Sequence, residues 1–431
     1  MTQKNTDPEI HLEEKAFPES YSISLTVTTP RPFRSFLRLL HCCSGKCRSA
    51  ARIFRRHLRP PSTRYPLLDA RYFGCGFAAP RHFAANIPNY SQRRTRPFLT
   101  TTALFAVVLV IQSALSRAAE DSANAPALPG RGLSQHPFLY TGEWDHRKSN
   151  QTIFVVRDGK IAWFHSIPSK DADGVLSELG DATMLSNGNI LFCRKVGASE
   201  ITPDKKIVWD YPAPKGTEIH SVQAIGLDRV LLVENGDPAR LLVIEKATGK
   251  IIKELNLPVP NPQKPHLQFR RVRLTVDNTF LAAHLDAHKV VEYDQTGKEI
   301  WSYATPAPWC AVRLKNGNTL ISSYPNFVVE VNKAGKVVWQ FSGQDIPTIP
   351  CFIFQEVSRL ANGNTVICNW CPGDLKDPAQ WPGTVQVLEV SPDKKVVWAL
   401  SEWRGATDLG PASSIQLLDE PGVAENGELQ R

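Results

Sequence analysis

Methionine is scarce in this sequence: Met1 and Met184 are its only occurrences, against 33 Pro and 10 Trp in 431 residues. That balance argues against long Met- or Ala-rich helical bundles. With 42% hydrophobic and 21% charged residues, the chain is neither collagen-like nor wholly disordered. No HExxH, GxSxG, P-loop or dinucleotide fingerprint occurs, so none of those catalytic classes is signalled. One apolar run is long enough to approach a membrane span, and no second one follows it. Acid is also missing locally, since Asp69 stands alone among 15 Lys+Arg between Arg31 and Arg96.

That local imbalance explains the net charge of +8. Residues 1–97 hold 17 of the 50 Lys+Arg and 6 of the 42 Asp+Glu, a net of +11, and the remaining chain is left at −3. The basic character therefore belongs to residues 1–97, a basic, disordered extension without sustained periodicity, and nucleic acid is not an expected partner of the rest. Residues 98–118 follow, with FLTTTALFAVVLVIQSAL behind Arg93, Arg94 and Arg96 and ahead of Ser116–Ala119. A basic region, an apolar region and a small-residue cleavage site in this order read as a signal peptide cut after Ala118, with an uncleaved signal anchor as the alternative. A signal so far from Met1 points to a start codon assigned too early. The expectation is export, periplasmic or extracellular, with membrane contact only through residues 98–118 if they are retained. Residues 119–137 read as a linker and 419–431 as a C-terminal tail.

Between them lies a repeat. Trp163, Trp209, Trp301, Trp339 and Trp398 end the phrases RDGKIAW, PDKKIVW, QTGKEIW, KAGKVVW and PDKKVVW, and ATGKIIK supplies a sixth copy with Lys253 in the tryptophan place. A second phrase, LSNGNILF, LKNGNTLI and LANGNTVI, precedes several copies. Asn-Gly between alternating apolar residues signals a hairpin, here expected as a tight primed turn because positive φ is needed. Each unit thus reads as four antiparallel strands. In the fifth, these fall near Cys310–Leu314, Thr319–Ser323, Phe327–Val331 and Lys336–Phe341. Such units repeated every 40–50 residues predict an all-β, six-bladed β-propeller over residues 138–418. The N-terminal piece has three strands and PASSIQLL supplies one, so pairing of the terminal strands would close the ring.

The GK-x-x-W phrase resembles the repeat of pyrroloquinoline-quinone-type propeller proteins, and the NGN plus GKVVW rhythm resembles arylsulfotransferase-type propellers. The resemblance covers residues 138–418 and implies the architecture rather than an activity. Quinoprotein dehydrogenases of this kind have eight blades and hold their cofactor against a vicinal disulfide. Here there are six, and the only adjacent pair, Cys42–Cys43, lies outside the repeat, so pyrroloquinoline quinone is not expected. The resemblance to arylsulfotransferases implies a general-base or nucleophile role for His220.

Short NGN and GK turns fall at one rim of such a ring and the long connections at the other, where function is expected. Aligning the repeats brings Asp181, His220 with Ser221, Gln268 with Arg270 and Arg271, Trp309, Gln355 with Glu356, and Ser413 with Ser414 into the innermost strands from that rim. His220, Arg270 and Glu356 are the candidate catalytic set. Asp181, Ser221, Gln268, Arg271, Trp309 and Gln355 are the candidate ligand-binding set, for a small polar ligand, a glycan or another protein; alternatively the polar groups satisfy one another around a water-filled channel. Arg273, Arg313 and Arg359 share one repeated position, read as pairing across blades. His284, Asp286 and His288 of HLDAH could meet one metal if the chain is extended there, or simply form a loop. In an oxidising compartment Cys351 could pair with Cys368 or Cys371 to staple the loop NWCPGDLKDPAQWPGT. Trp370 and Trp381 of that loop either stack on sugar rings or pin the loop. Two readings remain: a binding module, and a propeller enzyme (sulfotransferase, lyase or hydrolase) with an axial His/Arg/Glu site.

Overall fold

The computed structural model describes residues 127–430, so the basic extension, the apolar segment at 98–118 and the first part of the linker lie outside the described residues. Among the described residues no helix is long and apolar enough to cross a membrane. The strands form six four-stranded antiparallel sheets. In the first, Phe138–Gly142 pairs with Ala412–Leu417, matching Phe138 to Leu417 and Tyr140 to Ile415. The termini thus close the ring as expected, and no blade there keeps an open inner edge. The fifth blade runs Pro308–Arg313, Thr319–Ser323, Phe327–Val331 and Val337–Ser342, within two residues of the sequence expectation. The six innermost strands are Leu179–Met184, Glu218–Ile225, Phe269–Leu274, Pro308–Arg313, Ile353–Arg359 and Ala412–Leu417. They contact one another in a ring around the axis.

The repeated phrases show their purpose in side-chain contacts. In NGN, Gly188, Gly317 and Gly363 have φ of 83°, 83° and 88°, while the preceding asparagines do not have positive φ. Gly188 N–H donates to Leu185 O, and Leu185 N–H to Asn189 O. This is a type I turn followed by a left-handed glycine rather than the two-residue primed turn anticipated, so only one residue needs glycine's freedom. The last asparagine binds the third strand: Asn189, Asn318 and Asn364 each donate from Nδ2 to Glu200, Glu330 and Glu389 at 2.6 Å.

The tryptophans tie blade to blade. Trp163, Trp301 and Trp339 donate their indole N–H to the carbonyls of Pro203, Lys333 and Pro392 in the next blade's turn. Trp398 reaches Gly132, and Lys253 keeps the pattern by donating from Nζ to Gln295 O at 2.7 Å. Arg313 and Arg359 lie over Trp301 and Trp339, each 4.9 Å from the ring, and pair with Glu292 and Glu330 of the preceding blade. Between blades the core is apolar and tightly buried, as in the set Cys310, Leu320, Val328, Phe341, Phe354, Val357, Ile367 and Leu388.

Two flanking segments dock on the ring. In the stretch assigned as a linker, Leu133 is buried and Ala399 N–H donates to Pro129 O. The C-terminal tail crosses the short-turn face: Gly226 N–H donates to Glu425 O, and Gln430 Nε2 to Leu274 O at 3.0 Å.

All five cysteines of the described residues are free thiols, so the expected staple between Cys351 and Cys368 or Cys371 is not formed. Packing sorts them apart. Cys351 lies against the fifth-to-sixth blade core, Cys368 is buried with Tyr140, Trp398 and Leu400, and Cys371 packs with Trp381 and Trp403. Trp381 is 1% exposed and donates to Leu375 O, so it pins the loop and presents no face to a sugar.

Candidate functional site at the long-loop end of the axis

Every innermost strand carries a β-bulge at the residues that repeat alignment singles out. Gly180 and Asp181 together face one partner residue, because Leu179 pairs with Arg194 and Ala182 with Phe192. His220–Ser221, Arg270–Arg271 and Gln355–Glu356 are placed in the same way. Trp309 and Ser413 are single extra residues in their strands. A bulge breaks strand alternation and re-aims side chains, so both members of each pair can turn toward the axis.

The result is two tiers. The upper one encloses a small pocket of about 10 Å³, room for roughly one water, lined by Gly180, His220, Arg270, Trp309, Gln355 and Ser413, one from each blade, with Glu143 and Arg271. Below it a polar layer closes the channel. Asp181 accepts from Arg273 Nη1 and Nη2 at 2.6 and 3.0 Å, and Arg271 stands 3.8 Å from both Asp181 and Glu356. Arg271 also donates to the carbonyls of His220 and Ser413. Ser221 is spent on the backbone of Val272, and Gln268 on the backbone of Gly236. Of the ligand-binding set, therefore, Arg271, Trp309 and Gln355 line the upper pocket, whereas Asp181, Ser221 and Gln268 hold the scaffold. Glu356 belongs to the lower tier and also lines a second cavity of about 120 Å³ at the short-turn end. That larger cavity is lined by Val222, Val312, Val357 and Ile415 with Leu429 and Gln430 of the chain's own tail.

The upper pocket holds an unbalanced set of polar groups. Arg270 Nε and Nη1, Trp309 Nε1 and Gln355 Nε2 are buried donors without a protein partner. The Arg270 guanidinium lies over the Trp309 ring at 4.8 Å, and its Nη2 donates to His266 Nε2 at 3.3 Å. His266 Nδ1 and His220 Nε2 then meet one oxygen, Oε2 of Glu218, at 3.0 and 2.9 Å, while Lys195 Nζ holds Oε1 at 3.1 Å. Burial, aided by the Arg270 charge, lowers the His220 imidazole to about 3, so it is neutral at pH 7. Burial works to raise the Glu218 carboxyl, but the hydrogen bonds of the two histidines outweigh it and hold the group far below the ordinary range. Glu178 is pushed up to about 8 by burial and then by the neighbouring Glu143 charge. Burial likewise raises Glu143.

Glu218, His220 and His266 are the one group of three potential metal ligands among the described residues. Of His284, Asp286 and His288, only the first two approach, with His284 Nδ1 3.7 Å from Asp286 Oδ1, and the three form no common ligand group. The chain turns back after Leu285, so the extended geometry the sequence reading assumed is absent. His284 lies against Phe269 with ring centroids 3.9 Å apart, and His288 Nδ1 instead accepts the N–H of Ala307.

Sequence reasoning missed Glu143, Glu178, Lys195, Glu218 and His266. Glu178 and Glu218 were legible, because both stand two residues before the first bulge residue of their strands, in the position Gln268 occupies in the next blade. His266 sits in a short 3-10 turn, Pro265–Leu267, of the long loop before the fourth blade, outside the repeated phrases.

Comparison with known proteins agrees with this architecture. A family model described as outer membrane protein assembly factor BamB matches residues 261–375, from the loop before the fourth blade into the sixth. The pyrroloquinoline-quinone-type repeat resemblance therefore holds, on a six-bladed ring. Among solved structures, a protein of unknown function from Bacteroides caccae is 23% identical with a TM-score of 0.56, covering 65% of this chain and 97% of that one. A catalytically inactive virginiamycin B lyase variant from Staphylococcus aureus with quinupristin is 15% identical, with a TM-score of 0.44 over 66% of this chain and 92% of that one. A streptogramin B lyase is 15% identical, with a TM-score of 0.43 over 65% and 88%. These are likenesses of fold. No match was found among curated proteins.

Proposed function

We propose that the protein is an exported binding module that takes a small oxyanion, a carboxylate, sulfate or phosphate group, into the upper axial pocket. The observation that carries this reading is that Arg270, Trp309 and Gln355, which between them hold four unpartnered buried donors, all line one small pocket. Buried donors left unmade cost about 1–3 kcal/mol each, more for a charged one, and an acceptor-rich ligand removes that cost. Arginine presents a planar fork to carboxylate, sulfate and phosphate oxygens, and Trp309 and Gln355 would add neutral donors from the neighbouring blades. Export rests on the order of basic, apolar and small residues before Ala119.

A thermal-shift and calorimetric panel of small carboxylates, sulfate esters and phosphates tests it. At least one member should stabilise the protein, and Arg270→Ala should weaken its binding by about 10–100-fold, the worth of a charged hydrogen bond. No stabilising member, or undiminished binding by Arg270→Ala, refutes the reading. The enzyme alternative is favoured by one observation, a protonated Glu178 in the same site as a neutral His220, which is an acid with a base. Turnover of a panel ester that disappears in His220→Ala, with the fold intact, would move the assignment from binding to catalysis.

A further inference from the structure

We propose that Glu218, His220 and His266 form a binding site for one divalent transition-metal ion, zinc by preference, at the edge of the upper pocket. The assignment goes beyond the oxyanion site and stands without it. The three donors come from two separate parts of the chain. Glu218 and His220 are two apart on the innermost strand of the third blade, and His266 is delivered by the long loop before the fourth. Their ligand atoms lie within 4.8 Å of one another. The two imidazole nitrogens stand 2.9 and 3.0 Å from the same carboxylate oxygen. A tetrahedral ion with bonds of about 2.0–2.1 Å needs ligand atoms roughly 3.3 Å apart, so the two nitrogen–oxygen edges have to widen by only a few tenths of an ångström.

Two imidazoles and one carboxylate are a donor set for zinc and its neighbours, whereas calcium and magnesium prefer oxygen throughout. Three protein ligands also leave a fourth position open, and His220 lines the axial pocket, so an ion held there borders that space. The outer contacts are in place as well. Lys195 occupies Glu218 Oε1 and leaves Oε2 for the ion.

The geometry carries one further consequence. With a metal on His266 Nδ1, the ring proton of the neutral imidazole moves to Nε2, where it meets Arg270 Nη2 at 3.3 Å. Two donors then oppose each other, so Arg270 has to turn aside. Arg270 therefore weakens the site both as a donor and as a charge, and replacing it should tighten metal binding. A chance cluster of surface histidines would show no such coupling.

The test is a titration of the tag-free full-length chain with Co²⁺, read by visible absorption, and with Zn²⁺ against a chromophoric chelator. One equivalent should bind, with the strong absorption of four-coordinate Co²⁺. His220→Ala and His266→Ala should each weaken Zn²⁺ binding by at least about 100-fold. Arg270→Gln, whose side-chain oxygen can accept the new Nε2–H, should tighten it several-fold. His288→Ala, outside the site, should leave the stoichiometry unchanged. His266 is half-exposed in a loop, so that variant keeps the result readable if a variant of the buried His220 does not fold. Binding of no ion at stoichiometric concentration, a Co²⁺ spectrum that stays octahedral, or full binding by His266→Ala overturns the proposal.

Discussion

Asp181→Asn is the sharpest probe of the polar layer that closes the channel. Asp181 is 1% exposed, accepts two hydrogen bonds from Arg273, stands beside Arg271 and also accepts the N–H of Val222. Removing one partner of a buried ion pair leaves an uncompensated charge, and here two guanidiniums would be left with Glu356 alone. Such losses cost about 3–5 kcal/mol, which for a domain of this size corresponds to roughly 5–8 °C in Tm. Differential scanning calorimetry at pH 7 reads this directly. The double variant Asp181→Asn/Arg273→Met should cost less than the sum of the two single variants, because it removes the charge the first change strands. Burial acts to raise the Asp181 carboxyl, but Arg273 and Arg271 outweigh it and hold the group below its ordinary value. Its contribution is thus complete above the ordinary aspartate range and is lost only as pH falls through the lower folded value. Wild type and variant should differ fully at pH 7 and converge only in strong acid. A loss under about 1 kcal/mol, or strict additivity in the double variant, would refute the argument.

His136 joins Glu389 and Asp419 at 3.0 and 2.9 Å, and although burial lowers its imidazole, the two carboxylates together raise it above the ordinary value. His136→Asn should therefore cost about 1–2 kcal/mol below pH 6, with the difference fading as pH rises through the raised value, as read from Tm against pH. Glu178→Gln should work in the opposite direction. The wild-type carboxyl stays protonated up to about 8 in the folded chain but ionises near its ordinary value when unfolded, so wild-type stability falls over that interval. The glutamine variant should equal wild type near pH 4 and exceed it by about 1–4 kcal/mol at pH 9, as measured by denaturant melts.

The ring was legible because its repeated phrases are structural parts. The glycine of NGN turns the chain, the last asparagine binds a glutamate of the third strand, and the tryptophans of the first, fourth and fifth blades tie each of these to the next. Arg313 and Arg359 were legible for the same reason, since a position that recurs usually makes a contact that recurs. The bulges were not. An extra residue in a strand leaves the apolar pattern on both sides intact, so Asp181, and His220 with Ser221, could be assigned to the inner strands without revealing that two residues there face one partner. The HLDAH motif failed for the converse reason, because alternation was assumed where the chain reverses. Cysteine spacing says nothing about which blade interface each thiol enters, and Cys351, Cys368 and Cys371 enter three different clusters.

The third blade departs from the repeat, and the site gathers where it does. At the place of the tryptophan it carries Lys253, paired across the strands with Val243, where the second, fourth, fifth and sixth blades set a glutamate against a tryptophan. Lys253 retains the hydrogen bond to the next blade, so the ring does not lose that tie. What is lost is the ring face and the carboxylate that would hold the following blade's arginine. Arg313 and Arg359 are held in this way, opposite Thr319 and Thr365, but in the fourth blade that place belongs to Leu274, opposite Phe280. Arg273, grouped with them by sequence, stands one residue earlier on the other face of the strand and takes Asp181. The same blade supplies Glu218 and His220, and the loop and strand after it supply His266, Arg270 and Arg271. Natural sequences tend to break their own local rules where function requires it. Here the arginine contact kept at the junctions into the fifth and sixth blades is given up, and Arg273, from the other face of the same strand, pairs with Asp181 in the floor of the pocket.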